Sequence, residues 1–324
     1  MGVRSLVSSP VRKAVLAAAL VVAAGIFLFV RASAGGPLAD PACPAGAPAM
    51  AFNVSGALRQ DDIAVTDGEG GIRRLTDDHA SWDPSFSPDG SKIVFTTGRH
   101  GTHLECCGFD RQDVYVMSSD GTDQYPLMEL SPSTFHYEGR STGAEPAWSP
   151  DGRWIALVRG DGLFLVHSEG GEPRLLYESK RAAVHSPAWS RDSERIAFRH
   201  SARGGNESIF VVEVDTKQVD AFARDVGVQG DIAWSPDGDS VAFERYPRIF
   251  VVSAGGVQRR LLVKGGQAPA WSPDGSELAY LADVGSDRRM FTQPVPSGER
   301  SRVDTGDMDL YSFETDLDWL DCPG

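Results

Sequence analysis

Ala144-Glu-Pro-Ala-Trp-Ser-Pro-Asp-Gly152, continued by Arg153-Trp-Ile-Ala-Leu-Val158, is the stretch that decides the fold. Ala147 to Ser149 reads as a short strand with Trp148 on one face. Ser149-Pro150-Asp151-Gly152 reads as a turn: proline presets φ, aspartate bonds the backbone two residues on, and glycine accepts positive φ. Trp154 to Val158 reads as the returning strand of a β-hairpin. The unit recurs as Pro84-Ser-Phe-Ser-Pro-Asp-Gly90, Pro187-Ala-Trp-Ser-Arg-Asp-Ser193, Ile232-Ala-Trp-Ser-Pro-Asp-Gly238 and Pro269-Ala-Trp-Ser-Pro-Asp-Gly275. Its anchors Phe86, Trp148, Trp189, Trp234 and Trp271 lie 62, 41, 45 and 37 residues apart. A repeat of about 40–45 residues carrying four short strands is the pattern of propeller blades.

Two further strand-like runs follow each hairpin, for example Leu163-Phe-Leu-Val166 and Arg174-Leu-Leu176, so each repeat reads as a four-stranded meander. The ends complete the count. Met50-Ala-Phe52, Ile63-Ala-Val-Thr66 and Arg73-Arg-Leu75 read as the second, third and fourth strands of a repeat that lacks its first. Leu317-Asp-Trp-Leu320, with Trp319 as anchor, reads as a first strand with nothing after it. The expectation is an all-β, six-bladed propeller over 50–324, its last blade shared between the termini, which leaves no free sheet edge.

Residues 1–34 stand apart. Four basic residues and no acids accompany an uncharged run from Ala14 to Val30, and Ala32-Ser-Ala34 offers a cleavage site. An export signal and a single uncleaved membrane anchor are both open readings, and both place the remainder outside the cytoplasm. Residues 35–49, rich in Pro, Gly and Ala, read as a linker. The net charge of −14 argues against nucleic acid and an anionic membrane surface as partners of the folded part. A monomer is expected.

Cys43 precedes the second strand of the shared blade and Cys322 follows its first, so a bridge between them would clamp the ring. Closing so long a loop is worth about 4 kcal/mol in a chain-entropy model. Cys106 and Cys107 are adjacent in an enlarged loop, Thr97 to Gln112, with His100 and His103. These are residue types of a zinc or copper site, and equally of a surface loop held by a vicinal bridge or by a partner. No other cofactor is expected.

The repeated Pro-Ala-Trp-Ser-Pro-Asp-Gly, with Ile196-Ala-Phe198 after the variant copy at 187–193, resembles the TolB-type propeller repeat, also called PD40 or WD40-like. The run Ile72-Arg-Arg-Leu-Thr76 ahead of His79 and Trp82 is similar to that family's blade junction. The resemblance covers about residues 50 to 324. It implies a cell-envelope propeller that binds proteins and has no catalytic residues to carry over. The short linker leaves no room for the separate N-terminal α/β domain of TolB, so a role in the Tol–Pal system is not expected. Ser190-Arg-Asp-Ser193 departs from the repeat by lacking proline and glycine.

Function is therefore sought where repeats differ. Fourth-to-first-strand and second-to-third-strand loops share one face of such a ring. On it fall Phe135, His136, Tyr137, Arg140 and Glu145 of a long junction, with His79 and His185 from the neighbouring ones. Aromatic and arginine side chains at a rim suit a protein or peptide hot spot. His79, Glu145 and His185 would alternatively serve a metal-dependent hydrolase or lyase, or a small-ligand sensor. Phe86, Trp148, Trp189, Trp234, Trp271 and Trp319 are read as structural. No Gly-x-Ser-x-Gly elbow is present.

Overall fold

Each repeated turn closes on its own serine and aspartate. The hydroxyls of Ser87, Ser149, Ser190, Ser235 and Ser272 donate to Asp89, Asp151, Asp192, Asp237 and Asp274 at 2.5–2.7 Å. The same oxygens receive the amide N–H five residues on, as in Trp154 N–H to Ser149 at 2.9 Å. Gly90, Gly152, Gly238 and Gly275 take the left-handed corner at φ 67–76°. Ser193 takes it at 58° in the repeat without glycine, and that turn still closes, with Ser193 N–H on the Ser190 carbonyl at 2.9 Å.

The computed structural model describes residues 50–55, 61–66, 71–101, 103–104, 108–109, 112–129, 144–180, 182–202, 207–253, 259–296, 298–303 and 317–320, all within the compact unit Asp40–Gly324. They form six four-stranded antiparallel sheets joined by turns and loops. Blade 1 runs Ser81–Phe86, Lys92–Thr97, Asp113–Ser118 and Tyr125–Glu129. Blade 2 is Ala147–Trp148, Trp154–Arg159, Gly162–His167 and Arg174–Glu178. Blade 3 is Ala182–Trp189, Arg195–Ala202, Glu207–Glu213 and Val219–Ala223. Blade 4 is Ile232–Trp234, Ser240–Glu244, Arg248–Ser253 and Arg259–Lys264. Blade 5 is Gln267–Trp271, Glu277–Val284, Asp287–Pro294 and Ser301–Arg302. Blade 6 is the shared one: Leu317–Trp319 pairs with Met50–Ser55, which pairs with Asp61–Thr66 and then Ile72–Arg74.

The ring closes because each anchor packs on the preceding blade. Trp189 joins Ala156, Leu163 and Leu176 of blade 2. Trp271 packs against the cluster of Val251 and Val263 from blade 4, and Trp319 against Ala279 and Met290 of blade 5. Phe86 completes the circle against Ile63 and Val65 of blade 6. Burying a side chain of this size removes roughly 150–250 Å² from water, about 4–6 kcal/mol of gross transfer free energy at ~25 cal/mol per Å². Two indoles add hydrogen bonds across the seam, Trp189 to the Ala147 carbonyl at 3.0 Å and Trp271 to the Ala233 carbonyl at 3.2 Å. Trp148 instead donates to Gly152 of its own turn, and the Trp234 indole N–H is buried without a partner.

The loop between the second and third strands of blade 1 carries a short extra hairpin, His103–Leu104 with Gly108–Phe109. No helix among the described residues is long and apolar enough to cross a membrane. The segments 1–34 and 35–49 lie outside the described residues, as do all four cysteines, so the bridge and the vicinal pair are not described.

Candidate functional site

The six innermost strands surround a central cavity of about 290 Å³. Its walls are the residues just before and after each anchor, mainly Pro, Ala, Ser and the anchor rings. The loop-rich mouth is set by one position, three residues before the anchor. Asp83, Glu145, Ser186, Asp231 and Ala268 occupy it in blades 1 to 5 and all line the cavity. Four of them adopt left-handed backbone: Asp83 at φ 53°, Glu145 at 43°, Ser186 at 47° and Ala268 at 50°. Register breaks accompany three, between Trp82 and Ser85, His185 and Ala188, and Gln267 and Ala270. A non-glycine residue in this region costs about 1–2 kcal/mol, and its recurrence at one rim concentrates strain where the cavity opens.

A polar relay holds that rim over three blades. The Ser186 amide N–H donates to the Glu145 carboxylate, and His185 Nδ1 lies 3.3 Å from Glu145 Oε1. The Ser186 hydroxyl donates to Asp231 Oδ1 at 3.3 Å. Burial pushes the Glu145 carboxyl up, but the hydrogen bond and charge of His185, the Arg199 guanidinium and the Ser186 amide together hold it below its usual range. Glu244, which accepts the Ala268 amide at 3.3 Å, is held above its usual range by burial, against the Ala268 amide, Arg199 and Arg288. Carboxylates also tie the closing seam: Asp318 Oδ2 accepts the Phe86 amide at 2.7 Å.

The cavity wall is acidic. Asp83, Glu145, Asp231 and Asp318 line it against a single arginine, Arg191. That arginine stands where four other repeats have proline, and its Nη1 donates to the Pro273 carbonyl at 2.9 Å. Arg191 belongs to blade 3 and Pro273 to the turn of blade 5, so the bond is a chord across the turn-face end of the cavity.

Of the residues singled out from sequence, the structure brings Glu145 and His185 together. His79 goes elsewhere. Its Nδ1 lies 2.8 Å from the buried Asp62 carboxylate, which also receives Arg74 at 3.1 Å and Thr76 at 3.1 Å, and His79 does not line the cavity. His100 Nδ1 lies 3.2 Å from Asp113 and its ring faces Tyr115 at 5.9 Å. Phe135, His136, Tyr137, Arg140, Cys106 and Cys107 lie outside the described residues, as does the side chain of His103. Among the described residues, no group of three His, Cys, Asp or Glu side chains could hold a metal ion. Sequence reasoning passed over Asp231, Asp318 and Arg191. The fixed offset from each anchor would have found Asp231, and the missing proline of the third repeat marked Arg191.

A closed six-bladed ring with an acid-walled axial cavity defines a propeller whose variable chemistry sits at its two mouths. The PD40 family model, described as the TolB beta propeller domain, matches residues 162–315. Over that stretch the repeats are of PD40 type, and the ring as a whole resembles the TolB propeller in fold. The solved TolB from Acinetobacter baumannii superposes with a TM-score of 0.62 at 16% identity, over 85% of this chain and 67% of that one. The uncharacterized peptidase YuxL of Bacillus subtilis is 29% identical over 210 residues, 62% of this chain but 29% of YuxL. The uncharacterized protein Atu1656 of Agrobacterium fabrum is 29% identical over 227 residues, 61% of this chain and 69% of its own length.

Proposed function

We propose that this chain is a non-catalytic, extracytoplasmic scaffold that binds a protein partner through its loop-rich face, with a basic element of the partner seated at the cavity mouth. The observation that carries this reading is the rim itself: Asp83, Glu145 and Asp231 present carboxylates into a preformed cavity walled by proline, alanine and indole. In a site of low dielectric and net negative charge a lysine or arginine side chain is attracted far more strongly than on an open surface. Residues 1–34, read as an export signal or as an anchor through the apolar run 14–30, support a place outside the cytoplasm, where a Cys43–Cys322 bridge would persist.

A second reading draws on the buried Glu145–His185 pair and on the peptidase name of YuxL: a metal-dependent hydrolase or lyase, or a small-ligand sensor, working at the same mouth.

The deciding experiment immobilises the full chain and captures partners from an envelope extract of its source. The expected result is one protein retained by the parent and lost by Asp83→Asn with Asp231→Asn, or by the triple change of Phe135, Tyr137 and Arg140 to alanine. Unchanged melting temperatures would show that the variants fold. If nothing is retained, or a stoichiometric metal co-purifies and is lost on Glu145→Gln with His185→Ala, the scaffold reading fails and the second replaces it.

A further inference from the structure

The loop-rich face carries a second feature, away from the acidic mouth. The second-to-third-strand hairpins of blades 2 and 5 turn on glycine, Gly160 at φ 63° and Gly285 at φ 68°. The same hairpin in blade 4 turns on Arg245-Tyr246-Pro247-Arg248. It is held firmly. The Arg245 N–H donates to the Arg248 carbonyl at 2.8 Å, the Arg248 N–H to the Arg245 carbonyl at 3.0 Å, and the Gly265 N–H to the Pro247 carbonyl at 2.6 Å. Below it Phe243 and Phe250 stack at 5.7 Å.

Tyr246 is 57% exposed and Val284, at the matching corner of blade 5, is 47% exposed. They are the two most exposed large apolar side chains among the described residues, and they sit on neighbouring blades of one face. The other three, Tyr125, Leu175 and Leu261, belong to outermost strands. Tyrosine at this tight corner is mostly exposed and adds nothing to the core. Arg245 and Arg248 precede and follow it closely in the chain, Arg245 lying over Gly227, and neither guanidinium has an ion pair or hydrogen bond to a described residue. Most other described arginines are bonded, paired or stacked on a ring. A rigid tip with an exposed tyrosine between two unpaired guanidiniums has the composition of an interface anchor.

We propose that the Arg245–Arg248 hairpin is a docking site for an acidic segment of a protein partner. One apolar side chain of that segment packs between Tyr246 and Val284, and its carboxylates pair with Arg245 and Arg248. The inference rests on the protein-binding reading above and adds an orientation: the partner's basic element faces the mouth and its acidic element faces blade 4. Charge complementarity selects this occupant, because the tip is cationic on a chain of net charge −14.

The test uses the full chain in detergent and two fluorescent synthetic peptides, one of alternating Glu and Leu, one of alternating Lys and Leu, read by anisotropy. The acidic peptide is expected to bind more tightly than the basic one at the hairpin, and to weaken with salt. It should lose tenfold or more in affinity with Arg245→Glu plus Arg248→Glu, and likewise with Tyr246→Ala, while Asp231→Asn leaves it unchanged. The basic peptide should show the opposite dependence. No binding of the acidic peptide, or binding indifferent to the hairpin variants, overturns the proposal even where the basic peptide still binds and is lost on Asp231→Asn. Failure of the basic peptide to bind the parent, or binding indifferent to Asp231→Asn, would instead sink the mouth reading and leave the hairpin standing. Vesicles of anionic lipid form a third arm: hairpin-dependent vesicle binding without acidic-peptide binding would assign the tip to a membrane and overturn the protein-docking proposal.

Discussion

Glu145, partly buried at the rim, and Glu244, buried behind Ala268, illustrate how environment decides charge. Glu145 is held ionised by His185, Arg199 and the Ser186 amide, whereas burial prevails at Glu244. The signs of their pH dependence are therefore opposite. A carboxyl whose native pKa is depressed contributes stability that is present above the unfolded value, 4.5, and is lost as pH falls through the native one. A carboxyl whose native pKa is raised imposes a penalty that is absent below 4.5 and grows as pH rises through the native value. Glu145→Gln is expected to destabilise by about 1–2 kcal/mol at pH 7, because it removes the carboxylate that the Ser186 amide, the His185 ring and the Arg199 guanidinium surround. Glu244→Gln is expected to be neutral or to stabilise by under about 1 kcal/mol at pH 7. Thermal melts at pH 7 and pH 4 check both: the two variants should diverge at pH 7, and at pH 4 Glu244→Gln should match the parent while part of the Glu145→Gln loss persists.

At the scale of the element, the first strand of each blade combines an anchor that packs backward with a turn that closes forward. The turn chemistry is local, which is why the Ser-Pro-Asp-Gly runs could be recognised one by one. Asp274 shows its strength: the Ser276 amide and the Ser272 and Ser276 hydroxyls hold its carboxyl down to about 2. The seams are not equivalent. Trp189 and Trp271 bond across theirs, and Trp234 has a buried N–H with no partner, covered by the Arg195 guanidinium at 4.9 Å from its ring. Replacing indole by a phenyl ring removes similar area at each, so the hydrogen bond is isolated by difference. Trp189→Phe and Trp271→Phe should each cost about 1 kcal/mol more than Trp234→Phe in urea titrations. Equal losses at all three sites would show that the seam bonds contribute nothing net.

At the scale of the molecule, the ring depends on Leu317–Trp319, three residues that supply the innermost strand of blade 6. Trp319 packs on blade 5, and Asp318 bonds the Phe86 amide of blade 1. Removing residues 316–324 exposes the inner edge of Met50–Ser55 and unties both seams at once. The deletion is expected to abolish the single cooperative transition, with loss of the parent melting step in calorimetry, whereas Asp318→Asn should cost only about 1–2 kcal/mol. A truncated chain that melts like the parent would mean that five blades suffice to hold the ring.

The repeat, the blade count and the sharing of one blade between the termini were all legible in the residues, because anchor, turn and alternation are local patterns with a fixed period. The rim was only partly legible. Glu145 and His185 could be named as candidates, but not that they touch, since the contact joins chain positions forty residues apart across a blade seam. His79 looked alike in sequence and was drawn away by Asp62, a carboxylate buried in the third strand of blade 6. Arg191 read only as a departure from the repeat and proved to span the cavity end, because only ring closure puts Pro273 within its reach. Sequence by itself determined the architecture of this protein. Tertiary structure decided which polar side chains share a low-dielectric cavity, because closing the ring juxtaposes one residue from each blade that no spacing along the chain reveals.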